Sequence, residues 1–337
     1  MTLNIFPFSN LNDFDFSQLL DNYHYYPLDV IENMTFDQFQ SYNNRTPITN
    51  DLNPMMKELN CKYYSCSNFS SFDCSSILSM LCYNISSIPR HWDEFCDQCL
   101  SVLNVRFDIL GFCETRLNDN ICMLYRLNRY NAYFNNRDTG GGGLALYLHN
   151  NFQGTVIKNI SLKLHHIESL FLRVKGKLNF IIGLLYRPPN SNPTEFLHSL
   201  HEILQALSNE NLPCYVMGDL NINLLKRDNN MHDLLNLFYS HLFFPVVNKP
   251  TRVTKYSASL IDHIWTSESG NYLYSGIFYT SISDHFPIFS LFTIKNVKKS
   301  ELKRTITKRM INDDFINNFK VDLSNYRWDL NTSNSVE

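Results

Sequence analysis

The stretch YVMGDLNINLL, residues 215–225, decides how the chain is read, because an apolar run breaks abruptly into Gly-Asp-Leu-Asn and then turns apolar again. Tyr215, Val216 and Met217 are short, apolar and β-favouring, so they predict a buried strand. Gly218 allows a tight backbone turn. Asp219 and Asn221 then fall at the carboxyl end of the strand, the edge where open α/β sheets bind ligands. One Asp after a strand is commonly a turn or a helix cap. The reading therefore depends on whether other strands end in the same way.

They do. The apolar segment SILSMLCYN ends in Asn84, and FDILGFCET ends in Glu114. GLLYRPPN brings Tyr186 and Arg187 before a Pro-Pro turn. SLIDHIW carries Ser259, Asp262 and His263, and SISDHFPIF carries Asp284 and His285 just before the last strand. Four carboxylates converging in one cleft (Glu114, Asp219, Asp262 and Asp284) would repel one another unless a cation, a shared proton or a histidinium offsets them. Oxygen ligands without thiolates suit Mg²⁺ or Mn²⁺ rather than zinc. An Asp-His pair suits proton transfer or charge stabilisation, and Asn and Tyr can hold phosphate oxygens. These are the parts of metal-assisted phosphoester hydrolysis.

The rest of the chain is consistent with a globular protein carrying such a site. It has 337 residues, 44% hydrophobic and 18% charged, enough for a large core. No apolar run reaches the ~18 residues of a membrane span, and the N-terminus MTLNIFPFSN has no secretory signal. These features predict an intracellular protein without a membrane partner. Nine cysteines, an odd number, suggest free thiols. Cys61 with Cys66, and Cys96 with Cys99, invite a zinc reading. Yet Trp92, Phe95, Cys96, Cys99, Leu100 and Leu103 share one helical face, so packed cysteine is preferred.

From about residue 76, strands and helices alternate. A helix is predicted over 91–104 and another over TEFLHSLHEILQAL, with Phe196, Leu197, Leu200, Ile203, Leu204 and Leu207 on its apolar side. A third lies near 230–240, and ESLFLRVK with LNFIIGLLY reads as a hairpin or adjacent strands. The four glycines at 140–143 lack the Lys-Ser/Thr of a P-loop and the spacing of a dinucleotide site, so they read as a tight entry into a strand. Residues 1–74 show no sustained period and predict a weakly ordered acidic extension, net −6 over 1–75 from nine acids and three bases. Residues 295–309 carry seven bases and one acid, a basic linker or a local nucleic-acid contact.

GDLN, then SLIDHIW, then SDHFPI resemble the endonuclease/exonuclease/phosphatase superfamily. DILGFCETRL, GGGLALYL, YRPPN and IDHI are most similar to the apurinic-like endonuclease domain of LINE-type (non-LTR) retrotransposons. The resemblance spans about residues 75–294 and implies a four-layer α/β sandwich, two face-to-face mixed sheets flanked by helices. It implies a Mg²⁺-dependent DNA-nicking endonuclease acting in the nucleus. Glu114, Asn84 and Asp284 would form the metal site. Asp219 would activate water, Asn221 and Tyr186 would reach the phosphate, and His285, held by Asp262, would stabilise it. Arg187 and Ser259 are supporting or DNA-binding candidates, and His165 and His263 read as structural. DDFINNFKVDLSNYRWDL resembles the linker that precedes a reverse transcriptase, so 295–337 reads as a tail upstream of an absent polymerase. The competing expectations are a related phosphatase or sphingomyelinase-like esterase and an inactive retroelement fragment.

Overall fold

The structure is a computed structural model that describes residues 56, 59–69, 76–103, 105–137, 141–254, 257–294, 317, 320, 321 and 324. The chain divides into two units, Met1–Lys295 and Asn296–Glu337. The described residues of the second unit are helical, and Ser324 Oγ donates to the Lys320 carbonyl at 2.6 Å. Most of the expected acidic extension and basic tail lies outside the described residues.

The first unit contains fifteen strands and three α-helices among its described residues. In chain order these are β1 (Cys61–Tyr64), β2 (Ile77–Asn84), α1 (Ile88–Phe95), β3 (Ile109–Cys113), β4 (Tyr130–Asn135), β5 (Leu144–His149), β6 (Gln153–Val156), β7 (Glu168–Lys175) and β8 (Phe180–Tyr186). There follow α2 (Pro193–Ser208), β9 (Cys214–Asp219), α3 (Asn229–Ser240), β10 (Phe244–Pro245), β11 (Arg252–Val253), β12 (Ala258–Ser259), β13 (Asp262–Thr266), β14 (Tyr272–Phe278) and β15 (Ile288–Thr293). One sheet has seven strands in the order β1-β14-β15-β2-β3-β5-β4, and the second has six in the order β10-β13-β9-β8-β7-β6. Both are mixed: β2 and β3 run parallel, as do β8 and β9, while most neighbours are antiparallel.

Period-two side chains build the layers. Leu78, Met80 and Cys82 of β2, and Leu144, Leu146 and Leu148 of β5, face the core between the sheets. Their alternates Leu81, Tyr83, Ala145 and Tyr147 face outward into a second core with Ile88, Trp92 and Phe95 of α1. On the other side α2 and α3 cover the six-stranded sheet. Phe238 of α3 stacks on Trp265 of β13 with ring centroids 3.9 Å apart. Helix, sheet, sheet and helix make the four-layer sandwich. Helix α2 begins as its sequence dictates: Asn192 caps the Thr194 amide at 2.9 Å, and Pro193 takes the first turn. Its buried face is Phe196, Leu200, Ile203, Leu204 and Leu207, with Leu197 partly buried. Truncating Leu200 to Ala would cost about 2–5 kcal/mol.

The structure differs from the sequence reading in several places. Helix α1 starts earlier than residue 91, because Pro89 fits the first turn, and it widens into a π-type turn over Cys96–Leu100. The opening strand continues to Asp219, so Gly218 sits inside it rather than after it. Its φ is +145°, and a Cβ there would overlap the Leu185 carbonyl of β8. Glycine therefore serves close strand approach as well as conformation. Strands β4 and β6 carry mostly partly exposed residues and gave no apolar run to find. Strand β1 lies before residue 75 and pairs in parallel with β14, so the sheet begins inside the segment read as an extension.

Candidate active site

The strand ends converge on one edge of the two sheets. Asn84, the last residue of β2, donates from Nδ2 to Glu114 Oε1 at 3.0 Å and to Asp219 Oδ2 at 2.8 Å. It thereby ties the end of the seven-stranded sheet to the end of the six-stranded one. Glu114 follows β3 with φ +53°, a costly region for a non-glycine residue and one common at functional sites. Tyr186, ending β8, donates its hydroxyl to the same Glu114 oxygen at 3.1 Å. Arg116 stands 3.8 Å from the other.

Asp219 is buried. Its Oδ1 accepts the Asn221 amide at 2.9 Å and its Oδ2 accepts Asn221 Nδ2 at 3.2 Å. Asn221 has φ +48°, and Arg187 holds it there: Arg187 Nη1 donates to the Asn221 carbonyl at 3.0 Å, while Asn221 Nδ2 donates to the Arg187 carbonyl at 2.8 Å.

Asp262 stands directly opposite Asp219 across the antiparallel β9–β13 pair. Its Oδ2 lies 2.8 Å from His285 Nδ1 and accepts the Thr251 hydroxyl at 2.6 Å. Donor atoms of Asp219, Asp262 and His285 all lie within 4.8 Å of one another. The electrostatics follow from this crowding. Burial, then the Asp262 charge, pushes the Asp219 carboxyl up to about 7. Burial alone would lower His285, but the Asp262 charge and hydrogen bond outweigh it and raise the imidazole to about 9. Near neutral pH the site therefore pairs an imidazolium with a carboxyl poised to lose its proton. Burial and the Glu114 charge raise the Tyr186 phenol far above its ordinary range, so it is a donor.

Most of the residues singled out in the sequence meet here, and others sit apart. Asp284, expected beside Glu114 and Asn84, is instead gripped by Arg252 at 2.6 Å from Nη2 and 2.8 Å from Nε, half exposed to solvent. Burial would raise this carboxyl, but Arg252 holds it below its ordinary range. Arg187 is 5% exposed and bonds to backbone, so it positions Asn221 rather than offering a surface charge. Ser259 donates to the Arg252 carbonyl at 3.3 Å within the β11–β12 hairpin. His263 is buried, 3.1 Å from the Leu260 carbonyl, and burial lowers it to about 4. Among the described residues no cysteine belongs to a cluster able to hold a metal. Cys66 and Cys99 are both buried free cysteines.

Sequence reasoning missed Thr251 and Glu168. Thr251 also accepts the Asp262 amide at 3.1 Å, fixing backbone and carboxylate together. Glu168, buried at the start of β7, accepts the Gly143 amide at 2.6 Å and pairs with Arg137 at 3.0 Å. Gly142 (φ +74°) leaves room for that carboxylate, which accounts for the glycine run as strand entry. Neither residue ends an apolar segment in a motif, so only the spatial fold exposes them.

A sandwich with convergent carboxylates, amides and an Asp-His pair at one sheet edge defines a phosphoester-hydrolase type of site. The chain belongs to the Endonuclease/Exonuclease/phosphatase family, whose profile matches residues 82–285. This span runs from β2 to His285, so it contains every element of the site just described. No curated protein matches the chain. Among solved structures, an endonuclease/exonuclease/phosphatase family protein from Bacteroides thetaiotaomicron superposes with TM-score 0.51 at 16% identity, covering 64% of this chain and 94% of its own. The endonuclease domain of TRAS1, a telomere-specific non-LTR retrotransposon, gives 0.52 at 11% identity, covering 65% and 99%. An AP endonuclease from Archaeoglobus fulgidus gives 0.50 at 13%, covering 64% and 99%. At these identities the likeness establishes the fold. No helix among the described residues is long and apolar enough to cross a membrane.

Proposed function

We propose that the protein is a divalent-metal-dependent phosphodiesterase that nicks DNA, of the retrotransposon-endonuclease type. The observation that carries this reading is Asn84 bridging Glu114 and Asp219 beside the Asp262–His285 pair. The Glu114 carboxylate is a hard oxygen donor that would hold Mg²⁺, with Mn²⁺ as a substitute, while Asn84, whose Oδ1 accepts the Ser86 amide, would position that carboxylate through Nδ2. When bound, such a cation polarises a phosphoryl oxygen and offsets charge as it develops.

The chain's own residues do the rest. Asp219, raised toward neutrality, orients the attacking water and takes its proton. Asn221 Nδ2, on giving up its long bond to Asp219 Oδ2, and the Tyr186 hydroxyl, on turning from Glu114, would donate to non-bridging phosphate oxygens. His285, cationic through Asp262, stabilises the charge that accumulates on the phosphoryl group. Asp262 holds the ring in one tautomer, as carboxylates do beside catalytic histidines. Asp284 remains a candidate for long-range charge balance through Arg252. The TRAS1 and AP endonuclease likenesses and the motif order favour DNA as substrate over a phosphate monoester or a lipid.

A supercoiled-plasmid assay tests the proposal. Conversion to open circles should require Mg²⁺ or Mn²⁺ and vanish in Asp219→Ala. Hydrolysis of phosphate monoesters with no nicking of DNA would overturn the DNA assignment. Nicking that persists in Asp219→Ala would overturn the site.

A further inference from the structure

A second cluster lies outside this site, where the loop before β7 meets the first turn of α2. His165 Nε2 is 2.9 Å from Glu195 Oε2, and His166 Nδ1 is 3.5 Å from the same oxygen. One donor atom from each residue lies within 4.8 Å of the others. The two imidazoles stand nearly perpendicular, with centroids 4.7 Å apart. We propose that His165, His166 and Glu195 form a transition-metal site, of the zinc class, that staples this loop to α2.

Three observations carry the proposal. The first is geometry. Tetrahedral bonds of about 2.05 Å place neighbouring donors roughly 3.3 Å apart, and the two distances above straddle that value. The second is an unpartnered ligand atom. His166 Nδ1 is buried and has no hydrogen-bond partner, although a buried polar atom normally finds one. The third is the support behind it. His166 Nε2 lies 2.8 Å from Ser199 Oγ, one helical turn beyond Glu195. When Nε2–H donates to that hydroxyl, the lone pair sits on Nδ1 and faces Glu195, the usual outer-shell arrangement of a metal-bound histidine.

Two imidazoles and one carboxylate select zinc and its neighbours rather than Mg²⁺. Three protein ligands leave the fourth position to water. The loop leads within two residues to Glu168, which anchors Gly143, so the staple would steady the glycine turn beside Thr115 and Glu114. The sequence hides the set: an adjacent His pair and a Glu 29 residues on form no recognised spacing.

The test is Zn²⁺ titration of the full-length, tag-free protein in excess Mg²⁺, followed by calorimetry and thermal unfolding, with Co²⁺ absorption as a geometric probe. One equivalent of Zn²⁺ should bind and raise Tm, and Co²⁺ should give tetrahedral-type visible bands. His165→Ala and Glu195→Ala alter exposed side chains, so both should fold. Each should weaken Zn²⁺ binding at least ~10²-fold, since losing even an outer partner costs ~10–100-fold. Asp219→Asn should retain the equivalent, which separates it from the phosphodiesterase site. Absence of a saturable equivalent, its survival in both surface variants, or its loss in Asp219→Asn would overturn the assignment and leave a hydrogen-bonded cluster.

Discussion

Replacing Asp262 by Asn retains shape while removing charge, and its effect can be worked from the geometry. In the intact site His285 titrates at about 9 against an ordinary 6.5. That separation corresponds to roughly 3 kcal/mol favouring the imidazolium. Asp262 is the largest influence favouring the cation; burial opposes it, and the Asp219 and Asp284 charges add smaller support, so without the Asp262 charge the imidazole should fall back toward its ordinary value. With the ring at an ordinary ~6.5, the protonated fraction at pH 7.5 falls from roughly 97% to about 9%. The asparagine oxygen can still accept from Thr251 and from Nδ1–H, so the fold should persist. Loss of charge alone gives about a tenfold slower reaction, and looser ring orientation brings the total to ~10², the range for a removed transition-state donor. His285→Ala should lose at least as much. Because the two side chains act as one unit, the double variant should be hardly worse than His285→Ala. Single-turnover nicking of plasmid DNA at saturating Mg²⁺ reads all three, with a DNA-binding measurement to show that affinity survives. Losses that multiply would break the pairing, and full activity in His285→Ala would remove the residue from the mechanism.

Four further outcomes follow from the same strands and site. The pH profile of kcat/KM should be bell-shaped, rising at or below about 7 as Asp219 loses its proton and falling near 9 as His285 does; a bound cation moves the acid limb downward, and a flat profile over pH 6–10 would contradict both assignments. Metal-free stability should follow the same groups: both folded-state values are raised, so Asp219's share is lost from about 4 to 7 and His285's from 6.5 to about 9, which chemical denaturation at several pH values would register as a steady decline. Gly218→Ala should cost more than about 3 kcal/mol, since a Cβ meets the Leu185 backbone at positive φ, and an unchanged denaturation midpoint would show that β8 and β9 can move apart. Thr251→Val should slow nicking roughly tenfold and lower stability by ~1–3 kcal/mol, because it strips one donor from a buried carboxylate; wild-type rates would show that His285 alone suffices to hold Asp262.

What could be read in advance depended on how far each signal was local. Apolar runs ending in Asn84, Glu114, Tyr186 and Asp219 marked both the sheets and the site, because strand period and strand end are both sequence-local. Helix α2 was legible for the same reason: its cap, its proline and its apolar face occur in order. Thr251 was not legible. It lies outside any apolar run, and its role arises only when β13 brings Asp262 beside it. Asp284 shows the converse. Its neighbour His285 turns inward, 5% exposed, while the Arg252 side chain holds Asp284 at the surface, and adjacency in sequence cannot reveal which of two neighbours faces the cleft. The short, partly exposed strands β1, β4 and β6 escaped because four to six residues without strong alternation resemble loop.

Strand β1 bears on how the protein should be handled at the bench. Its backbone covers the edge of β14, and Tyr64 and Phe69 pack on Phe278 and Phe289 behind it. Met56, also buried, accepts from Asn248 Nδ2 at 2.6 Å. A recombinant product trimmed at residue 75, where the family resemblance begins, would keep every candidate catalytic group. It would also carry a naked seven-residue edge and an uncovered aromatic cluster, the combination that recruits further chains into intermolecular sheet. An expression boundary upstream of Met56 avoids that hazard.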